Sequence, residues 1–147
     1  MYRLLIVCTG NTCRSPMLEA ILKSKLKAIG KEIEIKSAGL DVIPDSKVEE
    51  GARKALKPYG VIIRHKPTQL TEKALERADS VITMTDGHKQ CLVGNKCFYK
   101  IFSMREAVGF NISDPYGLGG QAYAYCAKIL DEASEIIIEN LIKAGKV

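Results

Sequence analysis

Tryptophan is absent from this chain of 147 residues, aromatic side chains make up 6% of it, and no Cys-x-x-Cys or paired-histidine spacing occurs. So few stacking groups argue against nucleic acid as a partner, although the formal net charge is +5. The lysines are scattered along helical stretches, so the positive field suits anionic substrates instead. Without metal-ligand spacing, no metal and no cofactor are expected. No segment approaches the roughly 18 apolar residues of a membrane span, and the N-terminal apolar run is too short for a signal peptide. A cytoplasmic protein with no membrane partner is therefore expected. The cysteines number five and lack the regular spacing of a disulfide scaffold. That fits a reducing compartment, where a special cysteine is more often catalytic. Also missing is the Gly-x-x-x-x-Gly-Lys-Ser/Thr loop, which removes the best argument for nucleotide binding. With 46% hydrophobic residues, the chain fits one domain over 1–147.

What is present centres on Cys8-Thr9-Gly10-Asn11-Thr12-Cys13-Arg14-Ser15-Pro16, directly after the apolar run Leu4-Leu5-Ile6-Val7. A buried strand that empties through a glycine-containing turn into a helix aims several backbone N–H groups at one point, and an anion is the natural occupant. Cys8 opens the loop and Arg14 closes it with five residues between, so a thiol and a planar fork of donors can converge on one tetrahedral oxyanion. Helix N-termini and neighbouring guanidinium groups favour thiolates, which makes Cys8 a candidate nucleophile and Arg14 its partner. Thr9, Gly10, Asn11, Thr12 and Cys13 would line the phosphate with main-chain donors, and Asn11 is expected near the left-handed region.

The remaining pattern alternates strands with helices. Strands are predicted over 2–7, 32–36 at an edge, 79–84 and 97–101, with a short extended piece over 61–63. Helices are predicted over 15–30, 46–57, 71–78, 85–92 and 120–143. Ser46 and Glu49 are spaced as a capping box for the second helix, and 103–113 reads as connection. The expectation is an α/β three-layer sandwich: a four-stranded parallel sheet, helices on both faces, and a phosphate-binding loop after strand 1. Ligands bind beyond the carboxyl ends of such strands, so residues 38–45, 85–90 and 102–119 should wall the site. A proton donor must come from another loop. Asp114, in Ser113-Asp114-Pro115-Tyr116-Gly117 with a proline stiffening the backbone, is the candidate.

The stretch Val-Cys-Thr-Gly-Asn-Thr-Cys-Arg-Ser-Pro-Met resembles the signature loop of the low-molecular-weight protein tyrosine phosphatase family. The likeness continues through Ser37-Ala38-Gly39, His65, Asp79 and Asp114-Pro115-Tyr116 over nearly the whole chain. It implies two-step hydrolysis of phosphorylated protein substrates through a cysteinyl-phosphate, with Asp114 first acid and then base. It also implies a loop-supporting network of Asn11, Ser15, Ser37 and His65, and a monomer or weak dimer. Three departures bear on substrate choice. Thr12 stands where the tyrosine-specific enzymes carry a bulky aliphatic, Val42-Ile43 where they carry an aromatic, and Gly117 where they carry a second aromatic. In these the sequence resembles the bacterial protein-arginine phosphatase branch, with Tyr116 left as one wall of the mouth. Protein-tyrosine phosphatase is the alternative. Thiol-dependent arsenate reductase is a further one, but it needs relay cysteines just after the third strand, and Cys91 and Cys97 fall later. Cys8 and Cys13 share one tight loop, and a disulfide between them would make Cys13 a resolving cysteine under peroxide.

Overall fold

The structure, a computed structural model, describes residues 1–147. Its core strand, β1 (Arg3–Cys8), is buried from Leu4 onward because both of its faces are covered, which is why the sequence there is one apolar run. Alternation sends Leu4, Ile6 and Cys8 into the larger core and Leu5 and Val7 into a smaller one on the opposite face. Parallel neighbours are β2 (Glu34–Gly39) on one side and β3 (Ser80–Thr83) on the other, with β4 (Ile101–Ser103) beyond β3, giving the order β2-β1-β3-β4. Helix α1 (Arg14–Ala28) and α6 (Gly120–Lys143) pack together with α2 (Glu50–Leu56) over the larger core. Residues of α3 (Glu72–Arg77) and those following α4 (Asp86–Gln90) cover the other face. The α/β three-layer sandwich expected from the sequence is therefore the fold, with β2 at the edge.

Register sets the site. Val7 lies opposite Ala38 and Thr83, and Cys8 opposite Gly39, so β1, β2 and β3 end at one level and release their loops side by side. Helix α1 begins with Pro16 in its first turn and ends before Gly30, whose φ of 69° supplies the left-handed stop.

Local boundaries depart from the sequence pattern where tertiary contacts take over. The second helix does not start at Ser46. Its cap residue is Glu49, with extended backbone and no side-chain cap, because the Glu49 N–H is drawn 2.8 Å to the Thr12 carbonyl. Ser46 Oγ is left buried without a partner, so no capping box forms there. The fourth strand is Ile101–Ser103 rather than 97–101, since Asn95 Oδ1 accepts from the Cys97 N–H and a 3₁₀ turn occupies Phe98–Lys100. The 103–113 connection contains a helix, α5 (Met104–Val108), closed by a reciprocal capping box between Ser103 and Glu106. Residues 61–63 join no ladder; the edge contact of β2 is a bridge between Gly39 and Gln69. The long last helix matches its expected span.

Candidate active site

Between β1 and α1 the chain wraps a loop, and four of its carbonyls are tied to the surrounding backbone. The Leu40 N–H donates to Cys8 O, Asp41 N–H to Thr9 O, Glu49 N–H to Thr12 O and Met17 N–H to Cys13 O, each at 2.8–3.0 Å. None of the N–H groups from Thr9 to Ser15 donates to a backbone carbonyl. Unpaired donors converging at the N-terminus of a 15-residue helix make an anion cradle. Gly39 lets the loop settle on the sheet, because a Cβ there would lie 2.6 Å from Thr9 O.

Asn11 is fully buried and has a φ of 57°, the left-handed conformation expected of it. Its amide uses all its capacity. Oδ1 accepts from Thr68 N–H at 2.9 Å and His65 Nε2–H at 2.6 Å, while Nδ2 donates to Ser15 Oγ at 2.8 Å and Ser37 Oγ at 3.0 Å. Ser37 in turn donates to Glu19 Oε1 at 2.7 Å. Ser15 Oγ, already accepting from Asn11, lies 2.8 Å from Cys8 Sγ, where its own proton is available to a thiolate. Burial lowers the His65 pKa against the opposing pull of Glu19, so the ring serves as a neutral donor to Asn11. The structure thus brings together all four residues of the expected supporting network and adds Glu19 and Thr68.

Cys8 and Arg14 are both buried at the loop. Arg14 Nη1 donates to the Ile112 carbonyl at 3.0 Å, and Nη2 stands 3.6 Å from Asp114 Oδ2. The guanidinium is therefore held from the segment after β4, the same segment that delivers Asp114 over the loop. The carboxylate is half exposed, and its Oδ1 accepts from Tyr116 N–H at 3.1 Å in a tight turn that ends at Gly117, φ 73°. Tyr116 is 71% exposed and free to act as a wall, Thr12 is half-buried, and Ile43 is exposed.

Some residues at the site were given no individual role by the sequence, although His88 falls within the 85–90 stretch expected to wall it. Glu19 sits on α1 at a position that reads as one more polar residue. Glu49 joins Thr12 to α6, its carboxylate accepting from Tyr123 Oη at 2.9 Å while its N–H holds the loop. His88 is buried on α4, with Nε2 2.8 Å from Thr9 Oγ1 and Nδ1 3.0 Å from Thr85 Oγ1. Burial and the nearby Arg14 charge push its pKa down to about 4. Asp79 lies at the far end of the sheet, paired with Arg3, and plays no part here. Cys13 is buried in the core beneath the loop, its thiol donating to Met17 Sδ at 3.6 Å, and the neighbouring Cys126 thiol together with burial pushes its pKa up.

A cysteine set beneath an anion cradle, reached by a buried guanidinium and a loop-borne carboxylate, defines a hydrolase that passes a phosphoryl group through sulfur. Residues 3–147 match the family described as low molecular weight phosphotyrosine protein phosphatase, and the chain belongs to it. Among curated relatives, the protein-arginine-phosphatase of Bacillus subtilis (strain 168) is 34% identical over 145 residues, covering 95% of this chain and 97% of that one. A probable low molecular weight protein-tyrosine-phosphatase, EpsP of Ralstonia nicotianae, is 31% identical over 116 residues, 77% of each. A structure of the YwlE arginine phosphatase, a cysteine-to-serine mutant with its active-site serine phosphorylated, superposes with a TM-score of 0.91 at 33% identity over 96% of both chains. The low molecular weight protein tyrosine phosphatase of T. tengcongensis gives 0.91 at 40% identity, over 96% of this chain and 100% of that one. The chain is thus a protein phosphatase that depends on cysteine.

Proposed function

We propose that this phosphatase hydrolyses phosphoarginine in proteins, with Cys8, Arg14 and Asp114 as its catalytic residues. The Cys8 thiolate attacks phosphorus and the P–N bond to the guanidino nitrogen breaks. Asp114 gives its proton to that nitrogen as arginine leaves. The ionised Asp114 then takes a proton from water, whose oxygen attacks the cysteinyl-phosphate, returning the thiolate and free phosphate. Loop amides of Thr9, Gly10, Asn11, Thr12 and Cys13, with Arg14, hold the equatorial oxygens through both steps.

The observation that carries the substrate assignment is the mouth. Its wall is half-buried Thr12 and the carboxylate of Asp114, with aliphatic Val42-Ile43 and Gly117 where aromatic walls would clasp a phenyl ring. The similarity to the Bacillus enzyme over nearly full length agrees. Exposed Tyr116 and the relatives of the tyrosine class favour the alternative, a protein-tyrosine phosphatase. Matched phosphoarginyl and phosphotyrosyl peptides decide between them. The proposal expects kcat/KM at least tenfold higher on phosphoarginine, and the reverse order would assign tyrosine.

The proposal extends to redox control by a Cys8–Cys13 disulfide, supported by the placing of both thiols on one loop. Because Cys13 is buried and its pKa raised, the thiol resolves a Cys8 sulfenic acid slowly. Peroxide inactivation should be reversed by dithiothreitol in the wild type and be largely permanent in Cys13→Ser. A bridge from Cys8 to Cys91, Cys97 or Cys126 would instead favour a reductase. No helix of the chain is long and apolar enough to cross a membrane. The proposed setting is the cytoplasm, as monomer or weak dimer.

A further inference from the structure

His88 lies outside every element of the mechanism above, yet it is buried at the phosphate loop with both ring nitrogens engaged. Its proton can be placed from the partners. Thr85 Oγ1 caps α4 by accepting the His88 N–H at 3.1 Å, and the acceptor within reach of its own hydroxyl proton is Nδ1 at 3.0 Å. A neutral ring with the proton on Nε2 satisfies every group: Thr85 donates to Nδ1 and Nε2–H donates to Thr9 Oγ1 at 2.8 Å. The opposite tautomer would leave the Thr85 hydroxyl proton without an acceptor and would spend the Thr9 proton on the ring. With Nε2–H donating, Thr9 Oγ1 has no use for its own proton inside the protein. Thr9 follows the nucleophile directly and is exposed at the mouth of the loop.

We infer that His88 is a positioning residue for substrate binding, fixing the Thr9 side chain so that its hydroxyl proton is offered to the phosphorylated substrate seated in the loop. A neutral imidazole suits this place better than a cation, because Arg14 on α1 already supplies the positive charge. The other charged group facing the ring from outside α4 is Asp114. Substrate and transition state would gain alike from the Thr9 bond, so its loss falls mainly on KM.

The inference rests on the phosphatase reading of the loop, and the experiment separates the two. Turnover of para-nitrophenyl phosphate by the wild type checks the loop; no turnover there would overturn that reading itself. In an active wild type, His88→Ala and Thr9→Val should each raise KM and the inhibition constant for inorganic phosphate about tenfold, as for one hydrogen bond to a charged group, with kcat changed much less. The double variant should be no worse than either single one, since His88 acts through Thr9. His88→Gln, which keeps an amide donor near the Nε2 position, should restore most of the affinity. Losses that multiply in the double variant, or an unchanged phosphate constant in His88→Ala, would overturn the inference. Should His88→Ala fold poorly, ¹⁵N chemical shifts of the wild-type ring decide it. The Nε2–H tautomer is expected, and Nδ1–H contradicts it.

Discussion

Asp114 is half exposed and 3.6 Å from Arg14, close enough to be aimed by the guanidinium and open enough to meet a leaving group. Replacing it by Asn should lower kcat on phosphoarginine by about 10²–10⁴-fold, because the guanidino nitrogen departs badly without a proton. On para-nitrophenyl phosphate, whose phenolate leaves unaided, the loss should be much smaller. Equal losses on both would remove Asp114 from the acid role. His88 gives a second prediction at this scale. Its folded pKa of about 4 lies below the 6.5 of an unperturbed histidine, so between these values the unfolded chain binds the extra proton. The stabilisation is full above pH 6.5 and is lost as pH falls toward 4, about 3 kcal/mol in all. His88→Gln should lose less stability than the wild type across that window; parallel pH curves would contradict it. Cys8, Arg14 and Asn11 could be read from the sequence because their roles follow from spacing within one loop. Glu19 and His88 could not: their partners, Ser37 and Thr9, are 18 and 79 residues away.

Among the elements, the loop is shaped by what lies under it. A Cβ on Gly39 would come 2.6 Å from Thr9 O and 3.0 Å from the Gly10 carbonyl carbon, both backbone atoms that cannot swing aside. Gly39→Ala should therefore displace the cradle. The expected result is a weaker hold on phosphate, with KM raised more than tenfold, while circular dichroism still reports the native helix content. Unaltered kinetics would mean that the loop does not depend on this contact. The Ser-x-x-Glu pattern shows where local reading stops. It occurs at Ser46-Glu49 and again at Ser103-Glu106, and only the second is a capping box. At the first, the Thr12 carbonyl claims the Glu49 N–H and keeps the backbone extended, which is a tertiary contact that no window of sequence contains. The same holds for β4, where Asn95 turns the chain before the strand can begin. The strand–loop–helix unit from Arg3 to Ala28, by contrast, is nearly all local, and its apolar run, proline and terminal glycine fall where the structure has them.

For the molecule as a whole, the sheet order places three loops at one edge, and the substrate is chosen by what those loops present. Thr12→Ile fills the mouth with an aliphatic group and removes a hydroxyl, so it should shift preference toward phosphotyrosine by about tenfold or more. A wild type that already prefers phosphotyrosine, with no change in Thr12→Ile, would contradict the arginine assignment. The central claim, that a phosphoryl group passes from a guanidino nitrogen to Cys8, has one direct measurement. The wild-type enzyme is mixed with a phosphoarginyl peptide, quenched within a turnover, and its peptides are analysed by mass spectrometry. The phosphate should appear on the peptide carrying Cys8, and faster than from a matched phosphotyrosyl peptide. Release of phosphate with no phosphocysteine at any quench time, or phosphate carried by another residue, would contradict the account.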